Sequence, residues 1–388
     1  MASRIIRIQK SNIALLLYGF CVFIYALLQT ELAGQYHLIN TVLRVSFVGL
    51  AVIGLLQWLI ETKSINTFAT ITFILIALVL SILFLQKKID DGVLLIILFM
   101  LIVERHSSDD ILQSYSVSML LAVLFTLFLW SIHILPSLSI RNRKFLGFYY
   151  ASYGPNMLLH ASIAYVSFRK RKMRWTEWII LTLLNTFMYV ETRTIAPILI
   201  YFVLMLLCFL GNSKLFTNWM FSNRFLKHMI PNTCVIIAIA TIVFQIYYNQ
   251  HYSDPLLQKL NTFSSFRLSL GRRAFQTYPI NLIGHQITWN MNAEGYFYVD
   301  SSYLNILFTN GILTLALVCI GMDVVSRHAY SKHDYYLFAG VLALSLHCMS
   351  DPQLLSFRYN PFLLLIIPSI RYKQRISVMS KRGIKPYE

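Results

Sequence analysis

Two arginine-bearing segments and one aspartate carry the best candidates for chemistry in this chain. Glu191-Thr192-Arg193-Thr194 forms a short polar turn between two apolar runs. Phe266-Arg267-Leu268-Ser269-Leu270-Gly271-Arg272-Arg273 lies in a long polar stretch that ends in Val299-Asp300-Ser301-Ser302-Tyr303-Leu304, just ahead of the next apolar run. A guanidinium is a planar fork that donates two parallel hydrogen bonds to phosphate or carboxylate oxygens. A carboxylate at a water–lipid boundary can act as a base toward a hydroxyl, and positioned bases contribute roughly 100- to 10,000-fold. Each residue also has a plainer role open to it. Arg193 can pair with Glu191, Arg267, Arg272 and Arg273 can meet lipid headgroups, and Asp300 can cap the following helix.

Local geometry sharpens these candidates. Trp175 to Leu210 is 36 residues, about 54 Å of helix and barely enough for two crossings, so the Arg193 turn must lie at or slightly below the membrane surface. Thr194 is placed to cap the next helix, with Pro197 in its first turn. Free N–H groups at that helix start would join Arg193 in an anion site. Phe266, Leu270 and Ala274 recur at four-residue spacing, which predicts an amphipathic helix over 263–277. On it Arg267 and Gly271 fall one turn apart, leaving room beside the guanidinium. His285, next to Gly284, is a second candidate base or a loop hydrogen-bonding group. Gly154-Pro155-Asn156 is read as a break in the sixth span, with the polar Asn156 facing protein or a cavity rather than lipid. Asp351-Pro352 to Arg358-Tyr359-Asn360-Pro361 forms the last outer turn, with Pro361 opening the final helix. The catalytic candidates are thus Arg193, Arg267 and Asp300. The substrate-binding candidates are Asn156, Arg272, Arg273, His285, Tyr303, Arg358 and Asn360.

The elements that must position them are membrane helices. Hydrophobic residues make up 57% of the chain and charged ones 13%, half the charged fraction of a soluble domain. Apolar stretches recur throughout, so the fold class is all-α and polytopic, one integral membrane domain over 1–388. About twelve spans are predicted, near 13–30, 43–60, 68–85, 92–103, 117–135, 148–168, 177–190, 194–210, 233–248, 305–324, 335–349 and 356–370. The fourth is too short for a ~30 Å hydrocarbon core. The net charge of +17 does not indicate nucleic acid, because the cations cluster in short connections as the positive-inside rule requires. Arg169 to Arg174 is the strongest such cluster. It sets both termini in the cytoplasm and the 249–303 loop outside, while Arg141, Arg143 and Lys144 dissent. Arg4, Arg7 and Lys10 ahead of Ile13 imitate a signal peptide, but so many following spans favour a retained helix. The loop exceeds the dozen or so residues usual for structureless connections, so part of the active site is expected there. Lys214 to Met229 is expected to lie on the inner face as an amphipathic helix. The five cysteines fall in or at the ends of apolar segments, so no disulfide framework is implied. No internal repeat supports a duplicated transporter.

In order, Gly147-Phe148 with Gly154-Pro155-Asn156, Glu191-Thr192-Arg193-Thr194, Arg267-Leu268-Ser269-Leu270-Gly271, Val299-Asp300-Ser301-Ser302-Tyr303-Leu304 with Gly311, and Tyr359-Asn360-Pro361-Phe362 resemble the Wzy-type polysaccharide polymerases. The resemblance covers about 140 to 370. It implies polymerisation of undecaprenyl-diphosphate-linked oligosaccharides into a capsular or exopolysaccharide at the outer face of the cytoplasmic membrane, with lipid diphosphate leaving. It also implies a chain-length regulator and a flippase as partners. The related O-antigen ligases use two arginines at positions like Arg193 and Arg267 and a histidine before the following span, where this chain has Asp300. The external acids Asp254, Glu294, Asp300 and Asp351 include no Asp-X-Asp pair, whereas Mg²⁺ prefers carboxylates and water. Transfer without metal or cofactor is therefore expected. Ligase-type transfer to another acceptor and transport of lipid-linked sugars are the alternatives.

Overall fold

A computed structural model describes residues 2–61, 91–136, 138–140, 142–290 and 295–372. The third expected span (68–85), Arg141, Glu294 and the basic tail beyond Tyr372 lie outside the described residues. The helices are α1 (Ala2–Leu27), α2 (Glu31–Gln35), α3 (His37–Glu61), α4 (Asp91–Ile102), α5 (Ser108–Ser131), α6 (Tyr153–Arg169), α7 (Trp175–Thr192) and α8 (Ile195–Asn212). They continue with α9 (Lys214–Ser222), α10 (Leu226–Met229), α11 (Thr233–Gln250), α12 (Pro255–Phe263), α13 (Arg267–Thr277), α14 (Ser302–Thr309), α15 (Gly311–Ser331) and α16 (Tyr335–His347). The last, α17 (Pro361–Tyr372), opens with a 3₁₀ turn on Pro361. Ser139–Ile140 and Arg143–Lys144 form a small antiparallel ribbon.

Among the described residues, five helices are long and apolar enough to cross a membrane: His37–Trp58, Ser108–Ser131, Ile195–Asn212, Leu226–Gln250 and Gly311–Ser331. Three shorter apolar helices, Ile13–Leu27, Tyr335–His347 and Pro361–Tyr372, accompany them. The chain is a multi-pass helical membrane protein. Outward-facing Val45, Val48, Val52 and Leu56 on α3 are each more than 48% exposed, a stripe that lipid tolerates and water does not.

The bundle has two unlike ends. At the basic end Lys170 bridges Asp109 and Asp334, each at 2.8 Å, tying together α5, α6 and α16. Arg169–Glu177 and Arg371–Glu104 close the same end. The opposite end carries the ribbon, the Arg193 turn and the long loop. Arg143 and Lys144, the cations that dissent from the charge rule, sit at this loop end: Arg143 Nε donates to Thr192 O at 2.9 Å and Lys144 pairs with Glu191 at 2.6 Å. Their charge is spent on holding the α7–α8 turn.

Several expected boundaries change. The sixth span is not broken at Gly154-Pro155: α6 starts at Tyr153, so Pro155 falls in its first turn, where a missing N–H is harmless. The single helix expected over 263–277 is two, α12 and α13, separated by left-handed Ser265 and Phe266. Phe266 is 57% exposed rather than part of an apolar stripe. The 214–229 segment is likewise two short helices, with Leu215, Trp219 and Phe225 facing outward.

The tenth span, expected to be continuous over 305–324, is broken at Asn310-Gly311. Chain from the long loop descends to Ser302, turns back up as α14, and reverses again into α15. Tyr303, low on α14, has its hydroxyl 3.9 Å from Cys234 Sγ, in the half of the Leu226–Gln250 span nearer the basic end. At the top of α14, loop residues 281–285 cross the break. His285 N donates to Phe308 O, while Ile312 N and Leu313 N donate to Asn281 O and Leu282 O, at 2.8 to 3.1 Å. The loop thus satisfies backbone groups that a broken helix leaves open. Gly284 (φ +78°) and Gly311 (φ +81°) permit the crossing, since a Cβ on either would overlap backbone of the other segment.

Candidate active site

Asp300 and Arg267 meet beneath the loop. Arg267 opens α13 and Asp300 lies just ahead of α14, and Arg267 Nε lies 3.0 Å from Asp300 Oδ2. Among the described residues the guanidinium makes no other hydrogen bond, so both Nη groups remain for a second anion. Gly271 does not provide the room beside Arg267 that its missing side chain suggested. Its face packs on Gln245, whose amide donates to Leu268 O at 3.0 Å and fastens α13 to α11.

A second carboxylate shares this pair. Asp351 is buried in the turn after α16, where Asn156 Nδ2 donates to its Oδ1 at 3.3 Å and His347 Nε2 lies 3.2 Å from its Oδ2. His347 Nδ1 is in turn 3.2 Å from His160 Nε2 on α6. Ser302 locks this turn to the Asp300 segment: its N–H donates to Cys348 O at 2.9 Å, its hydroxyl donates to Asp351 O, and Gln353 N and Leu354 N donate to its Oγ. α16 has 13 residues, roughly 20 Å, so its end falls short of a ~30 Å core. The polar cluster therefore follows directly on a short apolar helix.

The electrostatics follow from that burial. Burial, and then the Asp351 charge, push the Asp300 carboxyl up to about 6 against the opposing pull of Arg267. Asp351 is held below the ordinary carboxylate range: burial would raise it, but His347, Arg267 and Asn156 outweigh this. Arg267 stays charged, because Asp351 and Asp300 overcome the effect of its burial.

Tyr296 and Tyr298 precede Asp300 on the same side of an extended segment. Phe297 and Val299 alternate with them and are buried, at 7% and 2% exposure, against Ala274, Leu304 and Phe308. Asp300 raises both phenols further after burial has done so, with Tyr150 contributing at Tyr296 and Tyr153 at Tyr298. Tyr150 and Tyr153, 6.0 Å apart, stand at the entry to α6, one turn before Asn156.

Arg193 occupies the left-handed C-cap of α7 (φ 53°) and is exposed. It does not pair with Glu191, which Lys144 takes, and among the described residues its guanidinium has no partner. Thr194 does not cap α8 as expected: its hydroxyl accepts from Arg143 at 3.0 Å and donates to Ala151 O at 3.3 Å. These bonds tie the Arg193 turn to the 143–153 segment that carries Tyr150 and Tyr153.

The other candidates are engaged elsewhere. Arg272 stacks on Tyr252 at 3.3 Å and Arg273 on Phe297 at 4.4 Å. His285 is pinned by Pro279 O and Asn281, and its N–H bonds Phe308. Phe308 is eight residues beyond Asp300, roughly 12 Å along helical chain. The Tyr303 hydroxyl donates to Ser345 O at 2.9 Å. Arg358 lies over the Tyr25 ring, and Asn360 caps the 3₁₀ turn while donating to Leu354 O. Of the substrate-binding candidates only Asn156 joins the Arg267–Asp300 cluster. The groups that do surround it, Asp351, His347, His160 and the tyrosines, went unremarked as site residues. Their signals were the alternating Tyr296-Phe297-Tyr298-Val299-Asp300 and the four-residue His347–Asp351 spacing. Among the described residues no group of three or more His, Cys, Asp or Glu could hold a metal ion.

No family model, curated protein or solved structure matches the chain.

Proposed function

We propose that this chain is a membrane-embedded glycosyltransferase that polymerises polyprenyl-diphosphate-linked oligosaccharide repeat units, as its resemblance to the Wzy-type polymerases implies. In this reading there are twelve spans, the basic end faces the cytoplasm together with both termini, and the loop end faces outward across a bacterial cytoplasmic membrane. A flippase delivers the substrate and a chain-length regulator acts on the product. The observation that carries the reading is the Arg267–Asp300 pair at 3.0 Å, a cation with both Nη groups unengaged among the described residues beside a proton acceptor.

The chemistry assigns each group a step. The donor diphosphate approaches the unused Nη groups of Arg267, with Arg193 at the rim as a second cation. As the diphosphate competes for the guanidinium, the Asp300 carboxylate is released toward the acceptor sugar. An acceptor hydroxyl attacks the anomeric carbon, and a new C–O bond forms as the bond from that carbon to the diphosphate oxygen breaks. The electron pair leaves on the diphosphate, where the arginines stabilise the charge, and the hydroxyl proton passes to Asp300. The base must be ionised to act, so turnover falls as pH drops below the Asp300 value of about 6.

Single Arg193→Ala, Arg267→Ala and Asp300→Asn substitutions test the reading in cells, with surface glycan length as the measurement. The expected product is a single repeat unit at unchanged protein level. Unaltered long chains would remove the site assignment, and normal chains on a different acceptor would indicate ligase-type transfer. Purified protein is expected to keep its activity in a chelator, and loss restored by Mg²⁺ would overturn metal-independent transfer.

A further inference from the structure

We propose that Tyr150, Tyr153, Tyr296 and Tyr298 form a carbohydrate subsite that receives the acceptor sugar beside Asp300. The inference rests on the glycosyl-transfer reading above and names what that site recognises. Its first support is directional. Tyr296, Tyr298 and Asp300 occupy alternate positions of an extended segment whose other side, Phe297 and Val299, is buried; side chains two apart on such a segment project together. The base and two phenols therefore face one space.

The other two rings come from the entry to α6. Tyr153 lies three residues before Asn156, on the same helix face, and Asn156 binds the Asp351 carboxylate that is locked through Ser302 to the Asp300 segment. Tyr150 packs 6.0 Å from Tyr153, and Arg143 lies 5.8 Å over its ring.

The second support is what these rings leave unused. Tyr150 and Tyr296 are 48% and 43% exposed. Among the described residues none of the four hydroxyls makes a hydrogen bond, so each is open to a ligand. Tyrosine combines an apolar face with a polar tip. A pyranose matches it, with C–H groups on its faces and hydroxyls around its rim, so rings can stack while phenols hydrogen-bond. A bare diphosphate offers nothing to these faces, which separates the subsite from the arginines.

Binding by purified full-length protein tests this. The probes are the cell's own lipid-linked repeat unit, isolated from a strain lacking the chain, and undecaprenyl diphosphate without sugar. The wild type is expected to prefer the sugar-bearing lipid. Tyr150→Ala and Tyr296→Ala are each expected to reduce that preference about three- to tenfold, with undecaprenyl diphosphate affinity changed less than twofold. Tyr296→Phe and Tyr298→Phe retain the ring and are expected to lose less. The subsite is refuted if the wild type shows no preference for the sugar, if the preference survives both alanine changes, or if both probes weaken equally. Arg267→Ala is the separate control for the headgroup reading. If it leaves undecaprenyl diphosphate binding intact while the tyrosine changes remove the sugar preference, the arginine assignment fails and the sugar subsite stands.

Discussion

Replacing Asp300 with asparagine should separate binding from chemistry in a way few substitutions can. The Asp300 carboxylate accepts one hydrogen bond among the described residues, from Arg267 Nε at 3.0 Å, and an asparagine carbonyl can accept the same bond. The contact with Arg267 should therefore persist. The base is lost, and base removal lowers turnover by roughly 100- to 10,000-fold, about 3 to 5 kcal/mol of transition-state stabilisation. Binding should move the other way. Unit charges about 4 Å apart at an effective dielectric near 20 attract by about 4 kcal/mol. The Arg267 and Asp300 side chains are 32% and 20% exposed, so solvent screening leaves roughly 1 to 2 kcal/mol of that. Freed of its counter-ion, Arg267 should bind undecaprenyl diphosphate about five- to thirtyfold tighter. The assay is chain elongation on purified lipid-linked repeat units, with headgroup affinity measured in parallel from pH 5 to 8. Wild-type activity should fall below about pH 6, and the residual activity of the variant should lack that limb. A loss under tenfold, weaker headgroup binding, or an acid limb that persists in the variant would each refute the assignment of Asp300 as base.

Asp351→Asn should move the wild-type acid limb to lower pH. The Asp351 charge helps raise the Asp300 carboxyl alongside burial, while Arg267 opposes both. An upward shift or a superimposable profile would mean that Asp351 does not sense the base. His347 against Asp351, His160 behind it and the phenols of Tyr296 and Tyr298 also face this site, and the upward shift of those two phenols leaves them neutral across that range. Arg193→Ala should weaken undecaprenyl diphosphate binding about tenfold at low salt and less at high salt, because an exposed cation is screened; Arg193→Lys should recover part of the loss, and equal binding by all three proteins would exclude Arg193 from the headgroup. Gly311→Ala should lower the melting temperature in detergent, since a left-handed backbone costs about 1 to 2 kcal/mol before any overlap with Leu282. Gly49, whose missing Cβ would meet nothing within 4 Å, supplies the control, and equal melting of the two alanine variants would contradict the tight crossing.

The class of protein was written in the sequence, because lipid demands long apolar helices and that demand is local. Most of the helix ends, the clustering of cations at one end of the bundle and the exposure of Arg193 follow from hydropathy and charge read one segment at a time. Asp300 could be singled out for the same reason, as a lone acid at the mouth of an apolar run. A place near the arginines was expected of it, but the contact itself and its further neighbours could not be read from one segment at a time. Arg267 is 33 residues away, Asp351 is 51 residues from Asp300 in sequence, and Asn156 bonds Asp351 across a separation of 195. Only the packing of α6 against α16 and the lock made by Ser302 bring them together. The break at Asn310-Gly311 was equally hidden. Residues 305–324 have the hydropathy of one span, and what divides them is backbone from residues 281–285, whose hydrogen bonds replace those the helix gives up. Partners supplied from elsewhere in the chain leave no local periodicity, so the tertiary fold alone decided which of the many polar side chains share a site.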